Sequence, residues 1–286
     1  NLSNNNERIN YNGNLKTISK YKFSKIDNFD KFEPEIVFDQ SNLIFFDNKG
    51  SILKFDKFSK LVWKKNFYNK REKKLKPILN MINHDNYLIV TDSLAKYYLV
   101  EIESGNLLWM KRNIAPFNSQ IKIYKDNFFV TDFQNILRCY SIKSGEELWK
   151  IKTDNSFVKS QKKLSLVISE GKVFFSNSLG DISAVDINKG KLIWQTPTQD
   201  SSIYESSFQL KTSDIVKVKK SIFFSNNANE FYSLDIKTGT FFWTQKINSV
   251  VRPTVIDNLI YTITEEGFLV IMESDTGNII RITNVF

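Results

Sequence analysis

One phrase recurs along this chain of 286 residues and limits its fold more than any other feature. ESGNLLW (103–109), KSGEELW (143–149), NKGKLIW (188–194) and KTGTFFW (237–243) are versions of it. DTGNIIR (275–281) is a further copy with Arg281 in the tryptophan position, and FSKLVW (58–63) is a shortened first copy. The register positions Trp63, Trp109, Trp149, Trp194, Trp243 and Arg281 are separated by 46, 40, 45, 49 and 38 residues, and all five tryptophans of the chain fall on them. A period in this range marks an array of supersecondary units that bury their apolar surface only by stacking on one another.

Each unit resolves into strands. Apolar runs precede the turns, at NLIFFD (42–47), NYLIVTD (86–92), NFFVTD (127–132), KVFFSN (172–177), SIFFSN (221–226) and NLIYTI (258–263). A polar turn follows, then an alternating strand such as DISAVDI (181–187) or EFYSLDI (230–236), whose period of two predicts a sheet with two different faces. Thr/Ser/Lys-Gly comes next, where glycine supplies the positive φ of a tight, bulged hairpin, and the Trp-bearing strand closes the unit. Pro34, Pro77, Pro116 and Pro253 stand shortly before a further strand, where a missing amide donor does little harm. Four antiparallel strands in roughly 40–45 residues make one propeller blade, so the fold class is all-β, a β-propeller with six recognisable blades.

Composition agrees and narrows the chemistry. Only four alanines are present, which disfavours a helical protein. The longest apolar runs are about five residues, short of the roughly 20 that a membrane-spanning helix needs. Cys139 and His84 are the sole cysteine and histidine, so the chain has no internal disulfide and no nitrogen–sulfur ligand set for zinc or haem. The net charge of +9 is uneven: residues 1–150 carry 25 basic and 17 acidic side chains, leaving +1 for the rest. KKNFYNKREKKLK (64–76) is the densest part, with seven basic residues and one acidic. Such a run attracts an acidic protein surface or anionic lipid when it is not simply a solvated loop. No helix or aromatic stacking motif accompanies it, so nucleic acid is not an expected partner.

LDIKTGTFFW (234–243) and VDINKGKLIW (185–194) resemble the PQQ-like propeller repeat, and the resemblance covers residues 30–286. Trp followed by Lys, Met, Lys, Gln or Thr departs from the WD40 signature. The first copy, FDKFSKLVW (55–63), has lost one residue and its glycine. The repeat implies a blade-docking role for Trp63, Trp109, Trp149, Trp194 and Trp243, whose rings would fill the wedge between blades, with Arg281 a poorer substitute.

Two functions follow from the resemblance. Quinoprotein dehydrogenases of this family hold PQQ and calcium on their propeller, with adjacent cysteines, a carboxylate base and Glu and Asn ligands. Here Cys139 has no cysteine neighbour and reads as a small buried thiol, and no acidic cluster stands out. The reading adopted is the other one: a non-catalytic scaffold similar to the BamB family, which assists assembly of β-barrel proteins into the bacterial outer membrane. It implies a periplasmic, outer-membrane-associated monomer with a protein partner such as a barrel assembly complex, a lipid anchor outside this sequence, and no cofactor, metal or catalytic residue. A PQQ-dependent dehydrogenase, or an extracytoplasmic binding or sensor propeller, is the alternative.

Loops between blades lie on the same side as the turns between middle strands, and loops carry interaction residues. Two differ most in length: 64–76, with Lys73, Lys74 and Lys76, and TPTQDSSIYESSFQLKT (196–212), with Tyr204 and Phe208. Those five residues are the candidate partner contacts. The polar opening of residues 1–30 reads as a tether, within which 14–24 alternates like a ring-closing strand. Because the last copy already has its own outer strand, the expectation is a longer, eight-bladed ring of which this chain is a part.

Overall fold

The computed structural model describes residues 3–6, 13–14, 16–17, 36–153, 163–198 and 211–286. Six four-stranded antiparallel sheets are present among them, each following chain order from its first strand to its last. The first holds β1 (Val37–Asp39), β2 (Asn42–Phe46), β3 (Ile52–Phe55) and β4 (Leu61–Lys65), and a short helix, α1 (Lys70–Lys74), follows. The second holds β5 (Leu79–His84), β6 (Tyr87–Asp92), β7 (Lys96–Glu101) and β8 (Leu107–Arg112). The third holds β9 (Lys122–Tyr124), β10 (Asn127–Thr131), β11 (Ile136–Ser141) and β12 (Glu147–Lys152). The fourth holds β13 (Leu166–Ser169), β14 (Lys172–Ser176), β15 (Ile182–Asp186) and β16 (Leu192–Thr196). The fifth holds β17 (Val216–Val218), β18 (Ser221–Asn226), β19 (Glu230–Asp235) and β20 (Phe241–Gln245). The sixth holds β21 (Thr254–Ile256), β22 (Leu259–Ile263), β23 (Phe268–Glu273) and β24 (Ile279–Asn284). These are propeller blades, one per sequence repeat.

The chain divides into two compact units. One comprises Asn10–Asp132 and Tyr140–Leu148; the other comprises Asn1–Ile9, Phe133–Cys139 and Trp149–Phe286. In the former, Phe46, Ile52, Leu79, Val90 and Tyr98 join blades one and two in a single apolar core. Ile89, Phe117, Phe128 and Tyr140 do the same for blades two and three. In the latter, Val167, Phe174, Ile222 and Phe224 form the core between blades four and five, and Phe223, Phe231, Ile260 and Met272 that between five and six. Burying each such side chain contributes about 1.5–3 kcal/mol.

Middle strands therefore have two packed faces rather than one. The alternation in EFYSLD and ISAVD does not separate core from solvent: Ser183, Ala184 and Ser233 are as buried as Tyr232 and Leu234. Each face instead carries its own packed set, Tyr232 and Leu234 on one side of β19 and Phe231 and Ser233 on the other, because a blade held between two others has no solvent face. Blade six alternates more simply, with Ile260, Thr262, Val270 and Met272 buried and their neighbours along the strands less so.

A bulge repeats in the last hairpin of five blades, where the register shifts at Lys54/Phe55, Leu99/Val100, Ala184/Val185, Ser233/Leu234 and Ile271/Met272. It inserts one residue before each register position and so leaves two successive apolar residues outward, such as Leu192 and Ile193 or Phe241 and Phe242. The indole then turns toward the following blade. Trp63 Nε1 donates to the carbonyl of Ile102 at 3.0 Å, Trp109 to Ile142 at 3.0 Å and Trp149 to Ile187 at 3.2 Å. Trp194 donates to Ile236 at 3.2 Å and Trp243 to Ser274 at 3.1 Å.

Each ring also rests on the hairpin glycine of that following blade. A Cβ added to Gly190 would lie 2.6 Å from the Trp149 ring. Hairpin glycine thus serves both its own turn and its neighbour's tryptophan. The first copy lacks that residue, and Ser59 takes its positive φ of 63°. Arg281 is exposed and donates through Nε to Thr283 on its own strand.

At the opening of the chain, residues 3–6 pack against blades four, five and six. Asn14, Lys16 and Thr17 belong to no strand, and the rest of 14–24 lies outside the described residues. No described helix is long and apolar enough to cross a membrane.

Candidate interaction surface

The basic run 64–76 is a structured element. Asn66 starts it, its Nδ2 donating to the Lys49 carbonyl and to Ser51 Oγ, both at 3.0 Å, while its Oδ1 accepts the Tyr68 amide. Tyr68 then turns inward, 4% exposed, and donates its hydroxyl to Asp92 Oδ2 at 2.5 Å, with the Tyr98 hydroxyl 3.3 Å away. Burial pushes both phenols well above their ordinary pKa, so they remain neutral donors. Asp92 also closes the turn between β6 and β7, its Oδ1 accepting the amides of Leu94 and Lys96. Burial raises its pKa, against the lowering effect of the Tyr68 hydroxyl.

Asn69 and Glu72 form a capping box for α1. Asn69 Oδ1 accepts the amides of Arg71 and Glu72, and Glu72 Oε2 accepts the amide of Asn69. The same carboxylate receives Lys96 Nζ at 2.7 Å and Arg112 Nη2 at 3.0 Å. Glu72 loses some solvation there, which alone would raise its pKa; the Lys96 hydrogen bond leads the effects that outweigh this and hold it below the ordinary value. The Lys96 ammonium also lies 4.8 Å from the centre of the Tyr68 ring.

The consequence is electrostatic. Glu72, the sole acidic residue of 64–76, is turned toward Lys96 and Arg112, and Lys64 pairs with Asp47 at 2.9 Å. The solvent side of the segment presents Lys70, Arg71, Lys74 and Lys76, with Lys73 half-buried and Leu75 among them 66% exposed. One sign of charge therefore faces solvent on backbone held in place by Asn66, Tyr68 and Asn69, and such a patch attracts negative charge.

Of the residues singled out from the sequence, Lys73, Lys74 and Lys76 share this element, while Tyr204 and Phe208 lie outside the described residues. The flanks of that second loop are anchored: Thr198 Oγ1 donates to the Gly180 carbonyl, and Lys211 and Asn227 exchange two hydrogen bonds. The anchors Tyr68, Asn69, Glu72 and Asp92 were not anticipated, although Asn69-x-x-Glu72 was a readable capping signal.

No group of three or more His, Cys, Asp or Glu side chains able to hold a metal occurs among the described residues. Cys139 is buried alone in β11, and burial pushes its thiol up to about 12. Cys139 is the single cysteine of the chain, so no cysteine pair is available to it.

Comparison with known proteins places this geometry. A family described as outer membrane protein assembly factor BamB matches residues 48–283. Among solved structures, BamB from Moraxella catarrhalis superposes with a TM-score of 0.71 at 14% identity, over 88% of this chain and 76% of that one. A europium-containing methanol dehydrogenase gives a TM-score of 0.70 at 9% identity, over 88% and 68%. Quinohemoprotein alcohol dehydrogenase from Comamonas testosteroni gives 0.55 at 14% identity, over 72% and 42%. Scaffold and enzyme share these blades, so structural likeness at such identities speaks for the fold alone. Comparison with curated protein sequences returns no match.

Proposed function

We propose that this chain, which belongs to the family of the outer membrane protein assembly factor BamB, is a non-catalytic interaction propeller assisting assembly of β-barrel proteins into the bacterial outer membrane. It works in the periplasm at the inner surface of that membrane, and its partner is a protein of the barrel assembly complex. The observation that carries this reading is the element at 66–76, where a buried tyrosine and an inward carboxylate fix a short helix whose solvent side is uniformly basic. Rigid presentation of charge suits docking, because a pre-ordered surface loses less conformational entropy on association. The hydroxyl beside a carboxylate in that arrangement, Tyr68 on Asp92, is buried and kept neutral, so it anchors the element rather than serving as a nucleophile.

Affinity purification of the tagged chain from cells after mild cross-linking tests the proposal. Recovery of an outer-membrane barrel assembly protein is expected, reduced when Lys73, Lys74 and Lys76 are changed to glutamate. Recovery of no such protein, or stabilisation of the purified chain by PQQ with calcium accompanied by dye-linked alcohol oxidation, would overturn it.

A further inference from the structure

Among the described strands, the first strands of blades four, five and six each pair with one neighbour: β13 with β14, β17 with β18 and β21 with β22. Their other edges carry backbone donors and acceptors that need partners once buried. Residues 3–6 supply them. The Ile168 amide donates to the carbonyl of Ser3 at 2.9 Å, and the Lys217 amide to that of Asn4 at 3.0 Å. Asn5, 1% exposed, directs Nδ2 at the carbonyls of Leu166 and Ile215 and at Ser165 Oγ, at 3.0, 2.9 and 3.1 Å. Asn6 pairs twice with Val255, its Nδ2 donating to the carbonyl and its Oδ1 accepting the amide, both at 3.0 Å.

We infer that this edge is a binding site for a short, turn-forming peptide segment bearing consecutive asparagines, filled in the free chain by its own Ser3–Asn6. Two features make it selective. A carboxamide has a donor and an acceptor spaced like those of a peptide group, so Asn6 gives Val255 what a neighbouring strand would give; aspartate lacks the donor and leucine lacks both. Ser165 Oγ accepts from Asn5 and also from the Ile215 amide at 2.9 Å, so the position that reads Asn5 is the joint between blades four and five. Asn5 also adopts φ 58°, a conformation that asparagine tolerates better than most residues. The contacts connect residues 160 to 249 positions apart, and they use only groups that a separate peptide of the same sequence also carries. Tethering raises the local concentration of 3–6, so a competing segment binds appreciably only when the internal one is weakened. This inference stands apart from the barrel-assembly reading.

Residue-resolved amide hydrogen exchange on the full chain tests it. In the wild type, the amides of Ile168, Lys217 and Val255 should exchange slowly although they lie on strand edges. In the chain carrying Asn5→Leu and Asn6→Leu they should exchange about tenfold faster, the loss expected for one hydrogen bond. Amides of the middle strands, such as Phe174 and Phe223, should be unchanged. Millimolar acetyl-Ser-Asn-Asn-Asn-amide should restore protection at the three edge amides, and acetyl-Ser-Leu-Leu-Leu-amide should not. The inference falls if the three amides exchange freely in the wild type, if the asparagine peptide protects nothing, or if both peptides protect equally. Should the double variant also lose protection at Phe174, Asn6→Leu alone, read at Val255 with the same two peptides, decides the matter.

Discussion

Trp194 of blade four lies on Gly239 of blade five so closely that a Cβ at Gly239 would sit 2.5 Å from Cε3 of the indole. Gly239 also holds φ at 74°, where a side chain is strained. Gly239→Ala should therefore destabilise through both its backbone and its neighbour, by roughly 2–4 kcal/mol. Trp194→Ala should cost about 3–5 kcal/mol through the cavity it leaves. In the double variant the steric part of the Gly239→Ala penalty should vanish, so the two costs add to less than their sum. Urea titrations of the three variants measure this, and strict additivity would refute the contact as an energetic unit.

Charge reversal at the exposed Lys74 and Lys76 should leave the unfolding midpoint close to wild type, since exposed charges contribute within about 0.5 kcal/mol. Association with an acidic partner surface should weaken, and the difference from wild type should shrink as salt is raised. Binding by surface plasmon resonance across a salt series checks both halves; equal affinity across the series would remove the basic element from the mechanism.

Anchoring of α1 should be pH-dependent through Glu72. Its pKa in the folded state lies below the ordinary 4.5, so the carboxylate's stabilisation is fully present above about pH 4.5 and is lost as the pH falls through the folded value. Cleavage within 69–76 by an acid-active protease should rise over that lower range, and Glu72→Gln should show raised cleavage by trypsin at neutral pH. A cleavage rate flat with pH in the wild type would exclude the clamp.

Cys139 should be chemically silent in the folded chain. It is buried and its thiol is pushed up to about 12, so at pH 8 almost no thiolate exists and none is accessible. Labelling by a thiol reagent should follow global unfolding in denaturant; reaction in buffer within minutes would mean that β11 opens locally.

The blades were legible because their defining phrase is local: a glycine turn and a tryptophan, repeated at a fixed period, identify a hairpin wherever they occur. The loss of glycine from the first copy was legible too, but not its replacement by Ser59 at positive φ, a conformation that serine adopts seldom. The anchored helix was obscured by its own charge. A run of lysines reads as solvated, whereas the orientation of Glu72 depends on Lys96 and Arg112, 24 and 40 residues away. Asparagines 4–6 were read as a tether because polarity is a local property, and their role rests on strand edges about 160 to 250 residues further on. Alternation in the middle strands told of two different faces but not of what covers them, because stacking on both faces changes what a period of two means.

The tryptophans also set an order of events during synthesis. Every indole donates forward, to a carbonyl 31 to 42 residues nearer the carboxyl terminus, and none donates backward. On the ribosome a completed four-stranded sheet consequently cannot cover its own indole until most of the next sheet has emerged. The nascent chain carries one uncovered tryptophan at its growing end, handed on from sheet to sheet as translation proceeds, and a pause between repeats prolongs the exposure of that one ring while those behind it are already sealed.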